Sequence, residues 1–175
     1  MTFEKKILAE MPKCYALGMF EGEDASSFLA AVEKDGPIRR FTLDGEPLET
    51  VAPGPGGVMT ITQVPGRKDQ FLATRKFFSP NFGGDDAAIA SYTKQADGSW
   101  SEQILCDLPY VHRFGILKAA DGQLWVLACS IKGGAETGVK DDWRTPGAVW
   151  AAPLSDNLEQ YTADNQLKLT CVANY

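Results

Sequence analysis

The sequence predicts an all-β chain assembled from successive four-stranded antiparallel sheets, and three observations carry that expectation. Short apolar runs of about four to eight residues alternate with Pro, Gly, Asn and Asp punctuation from one end of the chain to the other. No segment sustains the apolar spacing of a helix; Ser26–Val32 comes nearest, and it falls where a strand belongs. The chain also repeats itself.

The repeat is weak in letters and consistent in pattern. Phe3–Gly18 (FEKKILAEMPKCYALG) lies over Trp100–Gly115 (WSEQILCDLPYVHRFG) with no gap, matching an aromatic, Ile-Leu, an acid, a Pro and a Gly at an offset of 97 residues. Glu102–Asp107 matches Glu159–Asp164 at an offset of 57, and Val51 and Val58 match Ile104 and Val111 at 53. The implied unit of about 45–57 residues is in the range of β-propeller blades. A β-sandwich of about a dozen strands would explain the strand count and turns equally well, but not recurrence after every fourth strand.

Each element follows from its residues. Phe3–Glu10 matches the fourth, outermost strand of a unit and is expected as an extra outer strand, 3–10. The first blade, 13–53, has expected strands at Cys14–Phe20, Ser27–Glu33, Ile38–Leu43 and Leu48–Ala52. The second, 57–107, has Gly57–Val64, Gln70–Phe77, Ala87–Thr93 and Trp100–Leu105, separated by Pro65-Gly66, Gly83-Gly84-Asp85 and Asp97-Gly98. The third, 111–164, has Val111–Ala119, Gln123–Lys132, Gly147–Pro153 and Leu158–Ala163, with Asp121-Gly122 as a hairpin signal. Lys168–Tyr175 matches a first strand and is expected as a lone inner strand, 168–175. The first two strands of each unit are the more apolar, as in blades whose inner strands lie between neighbours. Three blades cannot close a ring that ordinarily needs four to eight. The incomplete ends therefore predict a truncated piece of a larger propeller, or a half-propeller completed by self-association or by a second chain.

Composition narrows the function. Of 175 residues, 17 are Lys or Arg against 23 Asp or Glu, a net charge of −6. Clustered positive charge for nucleic acid or an anionic membrane is missing. The N-terminus has no apolar stretch of the kind a secretory signal needs, and no run approaches the roughly 20 apolar residues of a membrane helix, so a cytoplasmic chain is expected. Cys14, Cys106, Cys129 and Cys171 form no CxxC and sit in apolar segments, which predicts buried, reduced thiols.

Chemistry is expected on the face shared by the connections into first strands and those between second and third strands. His112, the one histidine, and Arg113 open the third blade's first strand and are the candidate catalytic pair. An imidazole can serve as base, metal ligand or hydrogen-bond donor, and a guanidinium suits a carboxylate or phosphate. The repeat itself does not ask for either residue: His112 replaces Tyr15 and Met59, and Arg113 replaces Ala16 and Thr60. The long connection 133–146 carries Asp141, Asp142 and Trp143, candidate ligand-binding groups together with Arg75 and Lys132 near strand ends; Asp85 and Asp86 lie in the matching loop of the second blade. A divalent metal held by His112 with Asp141 or Asp142 is conceivable, although the spacing fits no diagnostic pattern.

The segment Pro109–Gly115 (PYVHRFG), with Lys140–Gly147 (KDDWRTPG), resembles propeller domains of bacterial proteins and of sugar-converting lyases such as aldos-2-ulose dehydratase. The resemblance implies metal-dependent sugar chemistry without assigning ligands residue by residue. The expected function is a small-molecule site for a sugar or sugar acid, of binding or lyase/hydrolase type. Here His112 acts as base or ligand, Arg113 as anion clamp, and Asp141 and Asp142 as metal or hydroxyl acceptors. The alternative is a non-catalytic scaffold that grips another protein.

Overall fold

The computed structural model describes residues 3–78, 83–134 and 142–174. It holds three four-stranded antiparallel sheets in sequence order. Blade 1 comprises β1 (Cys14–Glu21), β2 (Ser26–Val32), β3 (Ile38–Thr42) and β4 (Pro47–Ala52). Blade 2 comprises β5 (Ile61–Gln63), β6 (Gln70–Arg75), β7 (Ala88–Lys94) and β8 (Trp100–Asp107). Blade 3 comprises β9 (Val111–Lys118), β10 (Leu124–Lys132), β11 (Pro146–Pro153) and β12 (Thr170–Asn174). The arrangement is propeller-like, and it is open.

Turn chemistry fixes the hairpins. Between β7 and β8, Gly98 takes φ +86° and donates to the Gln95 carbonyl at 2.9 Å, while the Asp97 carboxylate accepts from the Ser99 amide at 2.9 Å. A left-handed residue of this kind is cheap only for glycine. β5 is shorter than its sequence suggests. The Thr74 hydroxyl accepts from the amides of Met59 (2.7 Å) and Thr60 (3.2 Å), supplying a side-chain acceptor just before β5 begins.

Burial explains why the middle strands read as unbroken apolar runs. β6 and β7 are buried on both faces, and their alternate residues enter different cores. Phe71, Ala73, Ala90 and Tyr92 join Ala16, Phe20, Leu29 and Ile61 between blades 1 and 2. Leu72 and Ile89 join Tyr110, Phe114, Val126 and Ala128 between blades 2 and 3. Each large apolar side chain so buried contributes about 1.5–3 kcal/mol. β1 and β10 instead alternate buried and accessible residues, because each end blade has a neighbouring blade on one face only; on the outer face of blade 1, Ile7, Leu8 and Met11 border a cavity with Leu17, Met19 and Phe28, and Ala30 and Phe41 are buried.

A charged cluster crosses the seam of blades 1 and 2. The Arg40 side chain, 1% exposed, donates to Ser27 Oγ (2.7 Å), to Glu49 (3.0 Å) and bidentately to Asp24 (2.7 and 3.1 Å). Glu49 also accepts from Lys94 (3.1 Å) and from the Trp100 indole (2.9 Å), both on blade 2.

Both ends of the chain differ from expectation. The fourth strand of blade 3 is Thr170–Asn174, paired with β11 through Val149↔Ala173 and Trp150↔Cys171, so the C-terminal segment is an outer strand and not a lone inner one. Residues 158–163, expected as that fourth strand, form instead a 3-10 turn (Leu158–Gln160) capped by the Asn157 side chain, which accepts from the Glu159 amide at 3.1 Å. The reason is side-chain spacing: Leu158 and Tyr161 are three apart and both buried in the core between blades 2 and 3, which no two-residue alternation allows. The chain then follows β8, with Leu167 donating to the Leu105 carbonyl at 2.7 Å, before it turns into β12. Residues 3–10 join no ladder. β4, β8 and β12 already hold the outer positions, and this segment passes over the β3–β4 turn, where Lys6 meets Asp44 at 3.7 Å.

Of the four thiols only Cys106 is buried; Cys14, Cys129 and Cys171 are exposed, and all four are free. Burial pushes the Cys106 thiol up to about 12. The other three lie on uncovered faces or edges of the end blades, which sequence apolarity does not reveal.

Candidate functional site

The first strands bring together residues that lie far apart in the chain. Tyr15 Oη on β1 and His112 Nε2 on β9 are 3.4 Å apart. The Arg113 guanidinium carbon sits 5.2 Å from the Tyr15 ring centroid. Between them runs the entry to blade 2: Arg113 Nη1 donates to the Met59 carbonyl, and the Thr60 hydroxyl donates to the His112 carbonyl at 3.2 Å. Phe77 backs the imidazole edge-on, with centroids 5.2 Å apart. Burial, reinforced by the Arg113 charge, holds His112 below its ordinary value of 6.5. The imidazole is therefore neutral near pH 7 and offers one donor and one acceptor. Arg113, which is exposed, is the fixed positive charge beside it.

A second cluster lies next to the first, through Tyr110. Lys132, wholly buried, places Nζ 4.4 Å from the Tyr110 ring centroid and 5.0 Å from that of Trp143, and it donates to the Asp142 carbonyl at 3.0 Å. The Tyr110 hydroxyl donates to Asp85 at 2.9 Å; burial, with that carboxylate, pushes the phenol up to about 12. Asp142 accepts from Arg144 Nε (2.9 Å) and Nη2 (2.7 Å) in a forked pair. Trp143 is exposed, and with Lys132 it borders a cleft of about 500 Å³ that also includes Ser130, Thr145 and Gly147.

The residues singled out from sequence thus separate. His112 and Arg113 belong to the inner-strand cluster. Lys132, Asp142 and Trp143 form the neighbouring one. Arg75 belongs to neither: it pairs with Glu102, whose other oxygen accepts from Tyr92 at 2.7 Å, in the seam of blades 1 and 2. Asp141 lies outside the described residues. Among the described residues, no three His, Cys, Asp or Glu side chains gather into a group able to hold a metal. Tyr15, Phe77 and Tyr110 were not singled out as site residues. Tyr15 carries one usable signal, because it occupies in blade 1 the place that His112 occupies in blade 3.

No protein-family model matches the chain, and no curated protein matches it. Among solved structures, the chain is similar to the hydrazine synthase of Kuenenia stuttgartiensis, with a TM-score of 0.52 at 10% identity over 88% of its length. It spans about two fifths (41%) of that chain. At that identity the likeness concerns architecture alone. Together with three consecutive antiparallel sheets, it gives this chain a propeller-like, all-β fold.

Proposed function

We propose that the chain is a small-molecule-binding module whose ligand is a sugar acid, seated where Tyr15, His112 and Arg113 meet. One observation carries the reading: an exposed guanidinium, a neutral imidazole and a phenol converge from blades 1 and 3. A carboxylate fits the guanidinium, because Arg offers paired donors in a planar fork. Hydroxyls of the same ligand fit His112 and Tyr15, each of which can donate or accept. The exposed ring of Tyr15 gives a sugar face apolar surface to lie on. The likeness of 109–115 and 140–147 to sugar-converting lyases supports the same ligand class. Turnover would ask His112 to act as base, and its neutral form near pH 7 is the competent one.

Calorimetric titration with gluconate, galacturonate and the neutral sugars glucose and galactose tests this. Acids should bind and neutral sugars should not. Arg113→Ala should weaken acid binding at least about tenfold, the loss of one charge-assisted pair. His112→Ala should weaken it with folding intact. Equal binding of acids and neutral sugars, or unchanged affinity in Arg113→Ala, would overturn the reading.

A further inference from the structure

The two seams between blades are built differently. Where blades 1 and 2 meet, their outer strands touch, with the Trp100 indole of β8 donating to Glu49 of β4 at 2.9 Å. Where blades 2 and 3 meet, the chain itself stands between them as a wedge. β3 and β4 are joined by residues 43–46 and β7 and β8 by 95–99, but β11 and β12 are joined by residues 154–169. Connections of that length are uncommon in a compact fold and are usually functional. This one is fastened to blade 2. Leu167 donates to the Leu105 carbonyl at 2.7 Å, and the Gln166 side chain accepts from the Asp107 amide at 3.0 Å and donates to the Asp107 carboxylate at 2.7 Å. Between the wedge and blade 3 lies a cavity of about 590 Å³, within the range of about 300–1,000 Å³ of small-molecule sites.

We propose that this cavity binds a planar aromatic amine, its ring against the Trp150 indole and its ammonium group at the Asp107 carboxylate. Register fixes one wall: Trp150 pairs with Cys171 and Ala148 with Asn174, so all four share the face of blade 3 that is turned toward blade 2. Leu108, Leu167 and Leu169 line the cavity from the other side. Every wall thus comes from blades 2 and 3 or the wedge between them, and neither end face of the arc takes part. Trp150 is half-buried, and its single polar atom is already used, Nε1 donating to Ser130 Oγ at 3.2 Å. The indole therefore offers the cavity its π surface, which attracts both flat rings and cations. Asp107 is the one charged side chain among the described lining residues, and it is exposed at the rim. Gln166 takes its Oδ2 and leaves Oδ1 for a ligand. A lone carboxylate beside apolar walls attracts an organic cation and repels an anion. The inference is independent of the sugar-acid reading, which concerns the inner strands.

Three probes that share one ring system and differ in charge test it: tryptamine, indole and indole-3-acetate. Cys171 reports occupancy, because it lines the cavity and is exposed, whereas Cys106 is buried. In a Cys14→Ser/Cys129→Ser chain, each probe is titrated against the rate at which iodoacetamide alkylates Cys171. Tryptamine should protect the thiol with a midpoint about tenfold lower than indole, the worth of one hydrogen bond to a charged group, and indole-3-acetate should protect least. Asp107→Asn, which keeps an acceptor for Gln166, should bring tryptamine to the level of indole and leave indole unchanged. Trp150→Leu with an unchanged circular dichroism spectrum should remove protection by all three. Absence of protection by tryptamine at about 10 mM would overturn the proposal. So would equal or reversed ranking of the three probes, a tryptamine midpoint unmoved by Asp107→Asn, or undiminished protection in a folded Trp150→Leu chain.

Discussion

The Tyr15 hydroxyl lies 3.4 Å from His112 Nε2, and the two residues are 97 positions apart, the length of the internal repeat. They occupy the same place in blades 1 and 3, yet one is a phenol and the other an imidazole. A repeat that placed equivalent residues side by side has been differentiated there into a donor–acceptor pair. Arg113, whose blade 1 and blade 2 counterparts are Ala16 and Thr60, adds the charge. The three substitutions that break the repeat therefore meet in space.

The imidazole provides the first prediction. Its value is held below 6.5 chiefly by burial and secondarily by Arg113, so its NMR titration midpoint should fall below that of a free histidine. Arg113→Ala should raise the midpoint part of the way and leave the burial contribution in place. Since the folded state disfavours the charged form, stability is complete above the unfolded midpoint and declines as pH falls through it. A midpoint above 6.5, or one unmoved by Arg113→Ala, contradicts this electrostatic account.

The Arg40 cluster provides the second. Hydrogen bonds from Arg40 hold the Asp24 carboxyl at about 2, below its ordinary 3.8. A depressed carboxylate stabilises the fold above its unfolded value and loses that contribution as pH falls between the two. Asp24 is largely exposed, so Asp24→Asn should cost less than about 1 kcal/mol at pH 7 and flatten the decline in stability below pH 4. Arg40→Met removes a buried cation and leaves Glu49 with Lys94 and Trp100. Its cost should be larger, about 3 kcal/mol by urea denaturation.

Much of the architecture was legible because turn residues and two-residue alternation act locally. Pro65-Gly66, Asp97-Gly98 and Asp121-Gly122 end strands wherever the chain carries them. The repeat alone does not place the third blade's outer strand, because 159–164 and 170–174 are both short and strand-compatible. Which of them pairs with β11 depends on Leu158, Tyr161 and Leu167 reaching the core shared by blades 2 and 3. The site was legible only where composition was unusual, as at His112. Charge near a strand end suggests solvent, whereas Lys132 is buried against the rings of Tyr110 and Trp143 and Arg75 is paired with Glu102. Such partnerships are fixed by tertiary contact.

The two glycines of the repeat provide the last prediction, measured by urea denaturation. Replacing a strand glycine by alanine gains about 0.5–1 kcal/mol from backbone entropy wherever the new methyl has room. At Gly115 it has room, since nothing lies within 4 Å, so Gly115→Ala should raise the urea midpoint. At Gly18 the methyl would meet Ile61 Cγ2 at 2.8 Å, with the Ile61 carbonyl oxygen at 3.3 Å behind it. Overpacking of this kind costs about 1–3 kcal/mol, more than the entropy gained, so Gly18→Ala should lower the midpoint. Ile61→Ala vacates the same space, and the double variant should be more stable than the sum of its single changes implies. Like signs at the two glycines, or strict additivity with Ile61, would mean that Gly18 is not the notch that joins the first two blades.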